Sequence, residues 1–304
     1  MQSARAGVFA MVASCTIWGL SPLYYKMLSQ VPPLEVLAHR TLWSAAFFVA
    51  VLLVQGRLER LGSALGTARS VVILAFAALM ISTNWFLFIF SVQNGHTTEA
   101  SLGYYVYPLV AVLLGMIAFG ERLGSLQACA VGLAAVAVLI LSVALGTPPW
   151  VSLIIALSFG LYSVVKKSLT VGPVVSVTAE VLLLSPLAAG WLWHLHQGSG
   201  GVFGDDAATS ALLMISGPLT AIPLILFSYA SQRVTMATVG LVQYLNPTLQ
   251  FLCAVLVFGE PFGPVDAVAF GLIWTALALY SGASLRQDRL RRRASSTALA
   301  DPSL

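Results

Sequence analysis

Arg40 and Glu180 are ionisable side chains set inside apolar runs of the chain. Each charge at such a position costs about 2.5–3.5 kcal/mol to insert into a bilayer, so each needs a compensating role. Glu35 precedes His39 by four residues, and Trp43 follows Arg40 by three. On a helix these spacings put Glu35 with His39, and Arg40 with Trp43, on shared faces. Two chemistries fit. In one, Arg40 and His39 attract an anionic group from one side of a membrane while Glu180 serves cations or protons from the other. In the other, Arg40 snorkels or pairs with Glu35, and Glu180 pairs with Lys166 or Lys167. Lys26 is a further substrate candidate, although its place at the end of an apolar run also suits snorkelling to the headgroups.

Uncharged polar residues give a second set. Tyr104 and Tyr107 lie three apart beside Pro108, and Gln243, Tyr244 and Asn246 lie beside Pro247. Gln and Asn in hydrocarbon leave amides that cost several kcal/mol unpaired, so they face a cavity or another helix. An aromatic pair from one half opposite an amide pair from the other could hold a small amphipathic molecule. Asn84 and Trp85 belong to the same group, with an interfacial anchor as the other reading of Trp85. His96 and Glu99 fit an outer gate or a proton-sensing pair. They also fit a helix start, with Thr97 or Thr98 as N-cap and Glu99 in the first turn. No phosphate loop, His-Glu-x-x-His motif or metal-ligand cluster occurs in the sequence. The reading is therefore not an enzyme, with no cofactor, no metal and no nucleic acid as partner.

The elements that must position these residues follow from composition. Of 304 residues 59% are hydrophobic and 9% charged, against about 25% charged in soluble domains. Too few polar side chains exist to cover a water-facing surface, which excludes soluble, disordered and disulfide-framed classes. About 20 apolar residues cross the hydrocarbon as a helix. Ten candidate spans result, at 6–27, 35–55, 70–93, 98–119, 124–144, 148–167, 173–195, 210–232, 236–258 and 263–284. With the N-terminus in the cytoplasm, thirteen of the fifteen Lys and Arg residues fall on the cytoplasmic side, namely Arg5, Arg57, Arg60, Arg69, Arg122, Lys166, Lys167, Arg233 and the five tail arginines, while Lys26 and Arg40 lie inside spans. That bias predicts a multi-pass protein of the cell membrane with both termini cytoplasmic.

Shifting the chain by 139 residues aligns 87–144 with 226–283 at 18 identities in 58 positions, against roughly five by chance. Gln93 falls on Gln232, Tyr105 on Tyr244, Pro108 on Pro247, and Phe119-Gly120-Glu121 on Phe258-Gly259-Glu260. At a shift of 141, Trp18-Gly19-Leu20 falls on Phe159-Gly160-Leu161, and at 140 Arg40 falls on Glu180. Each half holds five spans, an odd number, so the halves are expected to be inverted in the membrane. The divisions are 1–145, 146–284 and a basic cytoplasmic tail at 285–304.

These residues resemble a known family. Two five-span repeats, each with an aromatic-Gly-Glu before its last helix, are similar to the EamA family of the drug/metabolite transporter superfamily. Trp18-Gly19-Leu20-Ser21-Pro22 with Lys26, His39-Arg40, Asn84-Trp85, Asn94-Gly95-His96-x-x-Glu99 and Gln243-Tyr244-x-x-Pro247 resemble the RarD-type permeases. The resemblance implies an all-α polytopic membrane protein of ten helices around a central cavity, lined by the first, third, fourth, sixth, eighth and ninth spans. The expected function is a secondary transporter moving a small organic solute (metabolite, amino acid or drug-like amphiphile) by alternating access. Membrane lipids surround it and protons are a candidate coupling ion. A facilitative channel or a lipid-modifying enzyme is the alternative.

Overall fold

The computed structural model describes residues 2–119, 124–145, 149–169, 171–198, 200–231, 233 and 242–300, with the side chains of 2–4, 112, 119, 127, 145, 167–168, 228, 231 and 283–300 outside the description. Glu121, Arg122, Ser199, Gln232 and the first part of the ninth expected span therefore lie outside the described residues, as do the side chains of Lys167 and the tail arginines.

The described chain is helical: α1 Gln2–Met27, α2 Pro33–Val54, α3 Glu59–Ala64, α4 Ala68–Gln93, α5 Thr97–Phe119, α6 Ser125–Leu145, α7 Trp150–Ser168, α8 Pro173–Gln197, α9 Ala207–Ser231, α10 Leu245–Leu252 and α11 Pro264–Ala300. Seven of these contain stretches long and apolar enough to cross a membrane, and three shorter apolar stretches, Ala128–Ala144, Trp150–Lys166 and Leu245–Val257, occupy the remaining expected spans. The molecule is an all-α polytopic membrane protein. Two features differ from the sequence expectation. The ninth span carries a break, because α10 passes into a π-helical turn at Cys253–Val257. Helix α11 does not stop at 284, where the tenth expected span ends, but runs on to Ala300.

Helix starts follow local chemistry. Pro33 and Pro173 occupy first turns, where a missing N–H costs nothing. Thr67 Oγ1 accepts the N–H of Ser70 at 3.1 Å to cap α4, and Asp206 accepts that of Thr209 at 2.7 Å to cap α9. That hydrogen bond holds the Asp206 carboxyl below its ordinary range. Short connections make successive helices alternate in direction. We call the end carrying the 28–32 and 198–206 connections the upper end, and that carrying 55–67 and 169–172 the lower end.

Helix α1 packs on α9 and α10, and α7 on α4 and α5. Helix α2 packs on α8 and α9, α4 on α8, α5 on α10, and α6 on α11. Two close approaches fix this arrangement. A Cβ on Gly19 would lie 2.7 Å from Leu249 Cβ, and one on Gly160 would lie 3.2 Å from Val110 Cγ1 and 2.8 Å from Leu114 Cδ1. Small residues at such crossings let backbones approach where lipid supplies no hydrophobic drive. Tyr105, Phe251, Phe270 and Ile273 form an apolar core between α5, α6, α10 and α11. Tyr25, Phe88, Ile155 and Leu213 form another beneath the upper end.

Candidate functional site

Arg40 lies on α2 with 6% of its surface exposed. Its guanidinium sits 4.0 Å above the Trp85 ring of α4, and Nη1 donates to the Tyr25 hydroxyl of α1 at 2.7 Å. The Nε has no hydrogen-bond partner. Stacking on an aromatic face suits a weakly hydrated guanidinium, yet it supplies no counter-charge. The salt bridges among the described residues are His96–Glu99 and Lys166–Glu180, so Arg40 has no carboxylate within 4.0 Å. Glu35 does not pair with it. One Glu35 oxygen instead accepts the Val202 N–H of the 198–206 connection at 2.9 Å. His39 stacks on the Phe203 ring of that connection at 4.7 Å between centroids, and Trp43 lies 6.3 Å from the same ring.

Glu180 has the opposite circumstance. It is fully paired on α8, in an ion pair with Lys166 of α7 and accepting from the Tyr162 hydroxyl at 3.1 Å. Lys166 also donates to Ser176 and lies 5.1 Å from the Tyr162 ring. The local reading of Glu180 accounts for these contacts.

Asn84 and Tyr104 meet directly. The Tyr104 hydroxyl donates to Asn84 Oδ1 at 2.7 Å, and Asn84 Nδ2 donates to the Ile155 carbonyl of α7 at 3.0 Å. Tyr107 pairs with Ser163 of α7 at 3.0 Å. The two tyrosines share a helix face and both contact Phe159, at 6.1 and 4.6 Å between centroids, with Tyr104 packed on the Tyr25–Phe88 core and Tyr107, like Tyr244, on the Tyr105–Phe251 core. Gln243 is half-buried just before α10. Asn246 accepts from Gln250 at 3.0 Å along its own helix.

An aromatic chain connects the two charged positions. From Tyr25 at Arg40 it runs to Phe88 at 5.8 Å, to Tyr104 at 5.9 Å, to Phe159 at 6.1 Å and to Tyr162 at 6.0 Å, which bonds Glu180. Edge-to-face and offset pairs at these separations are favourable contacts. Sequence reasoning missed Tyr25, Phe88, Phe159, Tyr162 and Phe203. One signal was present: the shift of 141 places Lys166 on Tyr25, and that of 140 places Glu180 on Arg40. The same pair of positions is thus bonded in both halves, with a cation and a hydroxyl in one and an ion pair in the other.

The upper end is tied together across the bundle. Glu260, between α10 and α11, accepts the Thr97 and Thr98 N–H groups, both at 2.7 Å, and the Thr98 hydroxyl at 2.8 Å. It therefore caps α5, where the sequence suggested Thr97 or Thr98 as caps. His96 and Glu99 pair at 3.0 Å on the surface beside it. Gln93 donates to the Leu28 carbonyl at 2.7 Å, and Lys26 lies 5.4 Å from the Phe258 ring and donates to the Val92 carbonyl at 3.5 Å.

A family model described as the EamA-like transporter family matches this chain twice, over residues 5–143 and 149–282. Protein RarD of Streptomyces exfoliatus is 40% identical over 98% of this chain and 96% of its own. Transporter YojE of Bacillus subtilis is 38% identical over 94% and 96%. Chloramphenicol-sensitive protein RarD of Pseudomonas aeruginosa is 32% identical over 96% and 99%. A solved crystal structure shares the fold at a TM-score of 0.61 and 20% identity, covering 94% of this chain and 99% of that one.

Proposed function

The chain belongs to the EamA-like transporter family, and from that premise we propose that it is a secondary transporter whose small organic solute carries an anionic group bound at Arg40. The observation that carries this reading is the burial of Arg40 with an unpartnered Nε and, among the described residues, no carboxylate within 4.0 Å. A buried charge without a counter-charge is costly, and a ligand anion supplies the missing interaction. The half-buried part of the aromatic chain toward Glu180, at Tyr104, Phe159 and Tyr162, gives an amphipathic solute apolar contacts. Asn84 and Tyr104 offer polar atoms near its middle.

Ten spans in two inverted five-helix repeats, 1–145 and 146–284, support alternating access in this reading. The pairing of α1 with α10, and of α7 with α5, is what a pseudo-two-fold in the membrane plane requires, because the repeat exchanges α1 with α7 and α10 with α5. So is the match of Gly19 against Leu249 by Gly160 against Val110. The upper end is then external, and the structure corresponds to a state closed on that side by Glu260, Gln93 and Glu35.

A thermal-shift screen of the purified protein tests the reading, using amino acids, organic anions, organic cations, nucleosides and chloramphenicol. Solutes that stabilise the protein are expected to carry an anionic group. Their affinity is expected to fall ten- to hundred-fold in Arg40→Ala, the loss of a charge-assisted contact of about 1.5–3 kcal/mol. Arg40→Lys is expected to recover part of it. Stabilisation by cations alone, or an affinity indifferent to Arg40, overturns the anion site. Saturable counterflow of the same solute in proteoliposomes separates a transporter from a channel.

A further inference from the structure

The 198–206 connection has a composition that favours movement, with glycine at 198, 200, 201 and 204. Glycine loses more backbone freedom on ordering than any other residue. The connection is nevertheless laid onto α2. The Val202 N–H donates to Glu35 at 2.9 Å, and the Phe203 ring stacks on His39 at 4.7 Å and lies 6.3 Å from Trp43. Its far side is fixed to α9, where Ser210 Oγ accepts the Gly204 N–H at 2.9 Å and Asp206 caps the helix. Its near side is held by His196, which the transport reading does not use.

His196 stands exposed in the last turn of α8. Both of its ring nitrogens face carbonyl oxygens. Nδ1 lies 2.9 Å from that of Leu192, one turn back on the same helix, and Nε2 lies 3.3 Å from that of Phe203. A carbonyl oxygen can only accept, so the two contacts together require two N–H groups, and only the imidazolium has both. A neutral ring carries one N–H and turns a lone pair toward the other carbonyl. The shorter contact, inside α8, is the one a neutral ring keeps, and the contact to Phe203 is the one it gives up. Gly201 packs against the same ring: a Cβ there would lie 2.5 Å from Cε1 and 2.6 Å from Nδ1. A side chain at 201 would therefore push the ring out of line with its two carbonyls.

We propose that His196 is a proton-operated clasp on the 198–206 connection: as an imidazolium it bonds the Leu192 and Phe203 carbonyls together and holds Phe203 over His39 and Trp43, and on losing its proton it lets that segment go. The use of this clasp as an outer gate of transport rests on the transporter reading; the clasp itself does not. Several ionisable groups surround it. Helix α2 brings Glu35 and His39, with Arg40 one residue further in; the connection brings Asp205 and Asp206, and α8 brings His194. Helices α3, α4 and α9, which also pack on α8, carry ionisable groups only toward the lower end. Glu35 and Asp205 act on His196 as anions and favour its charged form, while a charged His39 opposes it. The sign of the effect follows. The proton strengthens the clasp, so the upper end closes as pH falls and opens as it rises, and by reciprocity closure strengthens proton binding. Titration of Glu35 would act the other way, because a protonated carboxyl is a poorer acceptor for the Val202 N–H.

Hydrogen–deuterium exchange of the full chain in phosphatidylcholine nanodiscs, read by mass spectrometry between about pH 5 and pH 8, tests this without any solute. Rates are divided by those of an unstructured peptide of the same sequence at each pH, which removes the intrinsic pH dependence of exchange. In the wild type, protection of the amides at 200–206 is expected to rise about three- to tenfold as pH falls, the worth of one hydrogen bond, while that of α4 and α7 stays constant. His196→Gln is expected to remove the pH dependence and leave the connection as loose as in the wild type at high pH. His194→Gln and His39→Gln are expected to retain it. Gly201→Ala, which keeps the titrating ring but displaces it, is expected to lose it. Protection that ignores pH, that falls as pH falls, or that keeps its pH dependence in His196→Gln or Gly201→Ala overturns the proposal. Counterflow measured separately keeps the two readings apart: a pH-dependent clasp without solute exchange sinks the transporter and leaves the clasp, and exchange without the pH dependence does the reverse.

Discussion

Arg40 and Glu180 show how much of a buried charge's role depends on its partner. Glu180 with Lys166 is a buried ion pair, and such a pair is strongly destabilising to break but nearly neutral to replace whole. Lys166→Met alone is therefore expected to destabilise the protein by about 3–5 kcal/mol. The double variant Lys166→Met with Glu180→Leu is expected to regain most of that. Thermal unfolding in detergent checks both, and a double variant as unstable as the single one would mean the pair is needed for more than its own neutralisation. The sequence displayed both charges and their equivalence under the repeat. It did not display which would be satisfied, because Arg40's neighbours Tyr25 and Trp85 come from other helices and carry no charge to mark them. Glu35, four residues before His39, looked like a local partner, and its carboxyl instead reaches a loop 167 residues away.

At the scale of elements, α5 begins at a cap supplied by the far end of the chain. The free N–H groups of a helix's first turn need acceptors, and two of those in α5 find both oxygens of Glu260. Glu260→Ala leaves them buried and unmatched, so it is expected to cost about 1–3 kcal/mol; Glu260→Gln, which keeps an acceptor, should cost less. Circular dichroism melting of the two variants checks the order. Hydropathy located most of the long helices within a few residues, since 20-residue apolar runs leave little freedom, but it gave no sign of α3 or of the run of α11 beyond 284. It missed the break in the ninth span, where Cys253–Val257 adopts a wider turn without a proline or glycine to signal it. It located the Phe-Gly-Glu triads as repeated features, while the reach of Glu260 across 162 residues is a property of packing alone.

For the whole molecule, the charge bias of the connections and the repeat predict a polarity that chemical labelling can read. In a background with Cys15, Cys129 and Cys253 replaced, a membrane-impermeant maleimide added outside cells is expected to modify Gly200→Cys and spare Gly62→Cys. The reverse pattern would invert the molecule, and labelling of both would end the ten-span reading. The last helix adds something to that picture. At 37 residues and 1.5 Å per residue, α11 extends about 55 Å, roughly 25 Å beyond the hydrocarbon it crosses. A rigid rod fixed at one end among the packed spans works as a lever arm. A tilt of a few degrees inside the bundle becomes a sweep of several ångströms at the protruding tip. If the proposed alternating access holds, a fluorophore attached there would report each conformational exchange as a change in distance to the bilayer surface, and whatever grasped that tip would act as a brake.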